Sequence, residues 1–138
     1  MIYALDTNII SFLLRPSQNT GVVHNFNEIV KLGHAYVIPP LCYYEVFWYL
    51  QRKNALKQLQ LFGKLYNDSL QNFIMGKADF ILASKLKVNL VEKGTPIGNN
   101  DADIFIAAYC INNGYILVTD NKSDFEYVDN LHIVNWKE

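Results

Sequence analysis

In the stretch NNDADIFIAA, residues 99–108, Asp103 shares a stripe with Ile106, Ala107 and Cys110. That i, i+3, i+4, i+7 spacing marks the core-facing side of a helix. A carboxylate aimed at a core has to be paired, hydrogen-bonded or bound to a metal. Three further acids raise the same question. Asp6 directly follows the apolar run MIYAL, Asp120 directly follows YILVT, and Glu45 has Leu41, Cys42, Trp48 and Tyr49 as its helical neighbours.

Each acid has a structural alternative. Asp6 can cap the helix that DTN opens, and Asp103 in a first turn gains from the helix dipole. A salt bridge from Glu45 to Arg52 is conceivable but long, and TDNKSD around Asp120 and Asp124 is rich in turn formers. Asp101 lies roughly 200° from Asp103 at about 3.6 residues per turn, so it suits a cap and is a secondary candidate.

Taken together, the acids point to metal chemistry. Carboxylates converging on one pocket repel one another unless a divalent cation neutralises them, and all-oxygen ligands select Mg²⁺ or Mn²⁺. His24, His34 and His132 are scattered and no Cys-x-x-Cys occurs, so zinc is not indicated. Neither a Gly-x-Ser-x-Gly elbow nor a phosphate-binding glycine loop is present.

The elements that must position these acids follow from the apolar pattern. Strands are expected at 1–5, 35–38, 115–119 and 132–136, with a short one at 73–75. Helices are expected at 8–15, 20–32, 41–53, 55–72, 77–93 and about 101–113. Strands alternating with helices imply a mainly parallel sheet covered on both faces. In such sheets, sites form beyond the carboxyl ends of the strands.

The chain has 138 residues, 51% hydrophobic and 18% charged, which suits one ordered domain over 1–138. Net charge is −1, which counts against a protein that coats nucleic acid. It does not count against an enzyme that meets phosphate through a cation. No apolar run reaches the roughly 18–20 residues of a membrane span, and the start lacks a signal peptide's basic region. Cys42 and Cys110 fall in apolar helical patterns, as buried free thiols in a reducing cytoplasm would.

The segments ALDTNIIS, PPLCYYEVF, PIGNNDADIFIAA and ILVTDNKSDFEYVDNLHIVNW, in that order and spacing, resemble the PIN-domain family end to end. The nearest branch is the VapC-like toxin ribonucleases of prokaryotic toxin–antitoxin pairs. The resemblance implies a three-layer, Rossmann-like α/β fold with a mainly parallel central sheet flanked by helices. It also implies endonucleolytic RNA cleavage with Mg²⁺ or Mn²⁺, structured RNA such as tRNA as a target, a homodimer and inhibition by a cognate antitoxin. The family's acids fall on Asp6, Glu45 and Asp103. The fourth position, often Asn or Asp at one or both sites after the strand's Thr119, falls on Asp120 or Asn121, with Asp124 a further alternative. Asp6 and Asp103 are expected as the main metal ligands, Glu45, Asp120 and Asp101 as secondary ones, and Thr7, Asn8, Thr119 and Asn121 as supports. Arg15, Arg52 and Lys53 are candidates for gripping RNA. The aromatic helix YYEVFWYL offers either a partner surface or core packing. A catalytically silent PIN-fold module that binds RNA or regulates is the alternative, and the completeness of the acid set argues against it.

Overall fold

Ala4, Leu5, Leu117 and Val118 are fully buried, as expected for central strands covered on both faces. They belong to β1 (Ile2–Leu5) and β3 (Ile116–Val118), which with β2 (Ala35–Val37) and β4 (Ile133–Val134) form one sheet. The order is β2-β1-β3-β4 and every pair is parallel. The computed structural model describes residues 1–95 and 101–137.

The helices among the described residues are α1 (Thr7–Leu13), α2 (Thr20–Lys31), α3 (Pro40–Arg52), α4 (Leu56–Asn67), α5 (Lys77–Glu92), α6 (Asp101–Asn113) and α7 (Lys122–Phe125), with a 3-10 turn at Pro16–Gln18. They flank the sheet in the three-layer α/β arrangement that the alternation predicts. The PIGNN residues ahead of α6 that lie at 96–100 are outside the described residues.

The chain runs from β1 to β2 on one side of the sheet, and its later part enters through β3 on the other. The carboxyl ends of β1 and β3 therefore bracket the topological switch point, where open α/β sheets bind ligands. Leu5 pairs with Val118, and the Asp6 amide donates to Val118 O at 3.0 Å. Asp6 and Thr119 are thereby brought side by side at that point.

Three expectations need correction. The helix expected over 55–72 ends at Asn67. There Ser69 Oγ and Gln71 Nε2 donate to Tyr66 O at 2.6 and 2.9 Å, taking up a carbonyl the helix leaves free. The strand expected at 73–75 does not form. Leu70 instead bridges Val37 at the sheet edge, and its amide donates to Tyr36 O at 2.8 Å. The following stretch is tied by Asn72, whose side chain donates to Tyr115 Oη and whose carbonyl accepts from Tyr109 Oη. Finally, the polar TDNKSD stretch contains the short helix α7, anchored by the buried Phe125.

Gly114 ends α6 with a left-handed φ of 69°, the conformation that favours glycine after a helix. The turn lets the Tyr115 amide donate to Cys110 O at 2.9 Å and delivers the chain into β3.

The buried Asp79 holds the start of α5, accepting from the Gly76 amide at 3.0 Å and from Asn112 Nδ2 at 2.8 Å. Asp79→Ala leaves both donors without their acceptor, an expected cost of about 1–3 kcal/mol. Thermal unfolding would record this as a Tm lower by several degrees. An unchanged Tm would show that this carboxylate does not secure α5 to α6.

Candidate active site

Asp6 is the buried centre of the site, only 5% exposed. It is both the residue that ends β1 and the cap of α1, so the capping expectation and the site expectation fall on one side chain. Its Oδ1 accepts from the Thr7 amide at 2.8 Å and lies 3.8 Å from Cys42 Sγ. Its Oδ2 accepts from Thr119 Oγ1 at 2.7 Å. Thr119 Oγ1 in turn accepts from the Asn121 amide at 3.0 Å. A fixed chain of donors thus sets the carboxylate's orientation.

Thr7 links the first acid to the second. While its amide holds Asp6, its hydroxyl donates to Glu45 Oε1 at 2.8 Å. Glu45 reaches the site from α3 because Pro39 and Pro40 turn the chain from β2 into that helix. The sequence suggested an apolar face around Glu45. Cys42 does lie in the core, but Trp48 and Tyr49 are 45% and 50% exposed and line a cleft. The long Arg52 bridge considered as an alternative does not form, and the hydroxyl of Thr7 meets Glu45 instead.

Asp103 enters from the first turn of α6, with Ile106, Ala107 and Cys110 buried below it on the predicted stripe. Among the described residues, its carboxylate has no hydrogen-bond donor and no ion-pair partner. Partial burial, and then the charges of Asp6, Asp124 and Glu45, push it from 3.8 to about 6. Asp6 is also raised, by burial and more weakly by Asp120, against the lowering by Thr119 and Thr7. Burial raises Glu45 too, with the Thr7 bond opposing and Asp6 adding.

The remaining candidates divide. Asp120 joins the site: its Oδ1 accepts from Asn8 Nδ2 at 3.2 Å, and its Oδ2 is 3.9 Å from Lys137 Nζ. Asn121 contributes its amide through Thr119. Asp124, on α7, adds its charge to the field at Asp103. Asp101 is not brought in; it is exposed and pairs with Lys87 Nζ on α5 at 2.9 Å. Of the three basic candidates, Arg15 and Lys53 line the cleft beside Glu45, and Arg52 does not. Sequence reasoning missed Cys42 and Lys137. A thiol three residues before Glu45 on the same helix was the available signal for Cys42, whereas nothing local marked Lys137.

The donor set is all oxygen, so it suits a hard divalent cation rather than zinc or copper. Asp103 in particular offers a carboxylate without a protein partner among the described residues. The acids sense one another's charge, yet no three His, Cys, Asp or Glu among the described residues are grouped tightly enough to form a ready cation cage.

Fold and site together define an α/β protein with an acidic centre at the switch point of a parallel sheet. Comparison with known proteins narrows that class: the PIN-domain family profile matches residues 3–131, and the chain belongs to that family. It is 26% identical over 136 residues to Ribonuclease VapC2 of Rickettsia felis, covering 99% of this chain and 98% of that one. It is 25% identical over 138 residues to Ribonuclease VapC1 of Haemophilus influenzae, with the same coverage. The crystal structure of VapBC2 from Rickettsia felis bound to a promoter DNA fragment is similar at a TM-score of 0.81 and 25% identity, covering 99% of each chain. FitAcB from Neisseria gonorrhoeae shares the fold at a TM-score of 0.78 and 22% identity, covering 98% and 97%.

Proposed function

We propose that this chain is an endoribonuclease of the VapC kind, the toxin of a type II toxin–antitoxin pair, dependent on Mg²⁺ or Mn²⁺. The observation that carries the reading is that three separate segments deliver Asp6, Glu45 and Asp103 to one switch point, where Thr7 ties Asp6 to Glu45 and Asp103 feels the charge of both. The VapC ribonucleases that match nearly end to end support the activity, and the toxin–antitoxin complexes among similar structures support an antitoxin partner. The proposal extends to a single domain over 1–138 that works in the cytoplasm as a homodimer on structured RNA such as tRNA. Among the described residues, no helix is long and apolar enough to cross a membrane.

Asp6 and Asp103 would hold the ion directly, with Glu45 and Asp120 assisting directly or through water. When bound, the ion supplies charge to the scissile phosphate and acidifies an attacking water. Thr119 and the Thr7 amide keep Asp6 in one orientation, and the Thr7 hydroxyl keeps Glu45 beside it. Asn8 does the same for Asp120. Because the acids are raised, cation binding is coupled to proton release and weakens as pH falls through about 6 at Asp103.

Mapping RNA 5′ ends after brief expression, wild type against Asp6→Asn, tests the reading. Specific new ends in the wild type that vanish in the variant are expected. Identical patterns would favour a silent RNA-binding module. Thr119→Val provides a subtler check, since it keeps the side-chain volume and removes the hydroxyl. Its cleavage rate should fall about 10–100-fold, the usual effect of losing a partner of a metal ligand, with circular dichroism unchanged. An unaltered rate would mean that Thr119 does not orient Asp6.

A further inference from the structure

Glu45, Trp48 and Tyr49 on α3 and Lys53 at its C-cap follow one another at i, i+3, i+4 and i+8, so they form one stripe. That stripe lines a cleft of about 550 Å³, to which α1 adds Asn8 and the turn after it adds Arg15. The volume falls within the roughly 300–1,000 Å³ of small-ligand sites. The cleft is continuous with the acidic centre, because Glu45 and Asn8 belong to both. Trp48 and Tyr49 meet edge to face at 6.5 Å and stay half exposed, and Lys53 Nζ lies 5.8 Å from the Tyr49 ring centre. Two cations and two open aromatic rings are thus gathered next to the acids in a chain whose net charge is −1.

We propose that this cleft holds one unstacked base of single-stranded RNA beside the scissile phosphate, with Trp48 as the stacking platform and Arg15 and Lys53 meeting the adjacent phosphates. The inference rests on the ribonuclease reading and deepens it. Aromatic rings accept any base face, while cations beside them track the backbone. RNA loops and ends supply such splayed bases, which a paired helix does not. A charged groove without exposed rings would serve phosphate alone, so the indole is what argues for a base.

Trp48 is its own reporter, since the chain's other tryptophan, Trp136, is buried. Fluorescence is titrated with a short single-stranded RNA in chelator, where cleavage cannot proceed, for the wild type, Trp48→Phe and Trp48→Ala. The expected result is saturable quenching in the wild type that is lost in Trp48→Phe. By anisotropy of a labelled RNA, Trp48→Ala should bind about 10-fold more weakly, with Trp48→Phe recovering most of the loss. With Mg²⁺ restored, Trp48→Ala should raise KM more than it lowers kcat. If the wild type cleaves RNA while quenching is absent and Trp48→Ala keeps its KM, the cleft assignment is overturned and the ribonuclease reading stands. If the wild type cleaves nothing yet Trp48 is quenched by RNA, the base site stands and the nuclease reading falls. Quenching by the antitoxin alone, with none by RNA, overturns the base site.

Discussion

Asp103→Asn is expected to lower RNA cleavage by about 100-fold or more while leaving the fold intact. Loss of a residue that merely supports a metal ligand costs on the order of 10–100-fold, and a direct ligand should cost at least the upper end. The side chain makes no hydrogen bond or ion pair among the described residues, so its removal breaks no structural contact of that kind. Asparagine keeps the shape and discards the charge. Purified variant and wild type, compared on one RNA with saturating Mg²⁺, give the measurement. Near-wild-type cleavage would place the ion away from α6. Asp101→Asn serves as the contrast: it loses only an exposed pair with Lys87, worth roughly 0–1 kcal/mol, and should cleave normally.

The second large effect is on stability, and its sign depends on the cation. Asp103 titrates at about 6 in the folded chain, against an ordinary value of 3.8. The folded chain therefore holds this proton more tightly than the unfolded chain. The stability so contributed is complete below the lower value and lost as pH rises through the upper one. At neutral pH in chelator, the wild type carries in full the cost of burying the charged Asp103 carboxylate and, after it, the repulsion from Asp6, Asp124 and Glu45. Asp103→Asn should then be the more stable protein, by about 1 kcal/mol after allowing for solvent screening of a half-buried group. The difference should shrink as pH falls below about 6. Adding Mg²⁺ should reverse the order. A ligand at about 100 times its Kd stabilises by roughly 2.7 kcal/mol, a gain the variant largely forgoes. Thermal melts of both proteins across pH, with and without Mg²⁺, measure every part of this. A wild type that Mg²⁺ does not stabilise would separate the acids from cation binding.

Much of the architecture was legible because it depends on local pattern. DADIFIAAYC carries its helix, its buried stripe and its inward acid within ten residues, and α6 forms as expected. MIYAL and YILVT are short apolar runs followed by acids, and they become the two central strands flanking the switch point. Elements set by contacts distant in sequence were not legible. FIM at 73–75 has strand composition, but the available sheet edge is taken by Leu70, and Asn72 is drawn to Tyr109 and Tyr115. TDNKSD has turn composition, but Phe125 has a buried place waiting, so the segment coils into α7 and carries Asp124 towards Asp103.

The same distinction holds in the site. Asp6, Glu45, Asp103 and Asp120 were recognisable as acids that end strands or interrupt apolar stripes. Thr7 was expected as a support, but its bridging of Asp6 to Glu45 was not, and neither Cys42 against Asp6 nor Lys137 reaching Asp120 from the far end of the chain could be read. The sequence leaves Trp48 and Tyr49 open between core packing and a partner surface, and their rings, half exposed, form the wall of a cleft.

Anomalous diffraction from crystals grown with Mn²⁺ addresses the shared cation most directly. A peak bound by carboxylate oxygens of both Asp6 and Asp103, at about 2.0–2.6 Å as for hard cations, is the predicted result. Manganese bound elsewhere, with those two side chains apart and no ion between them, would contradict it.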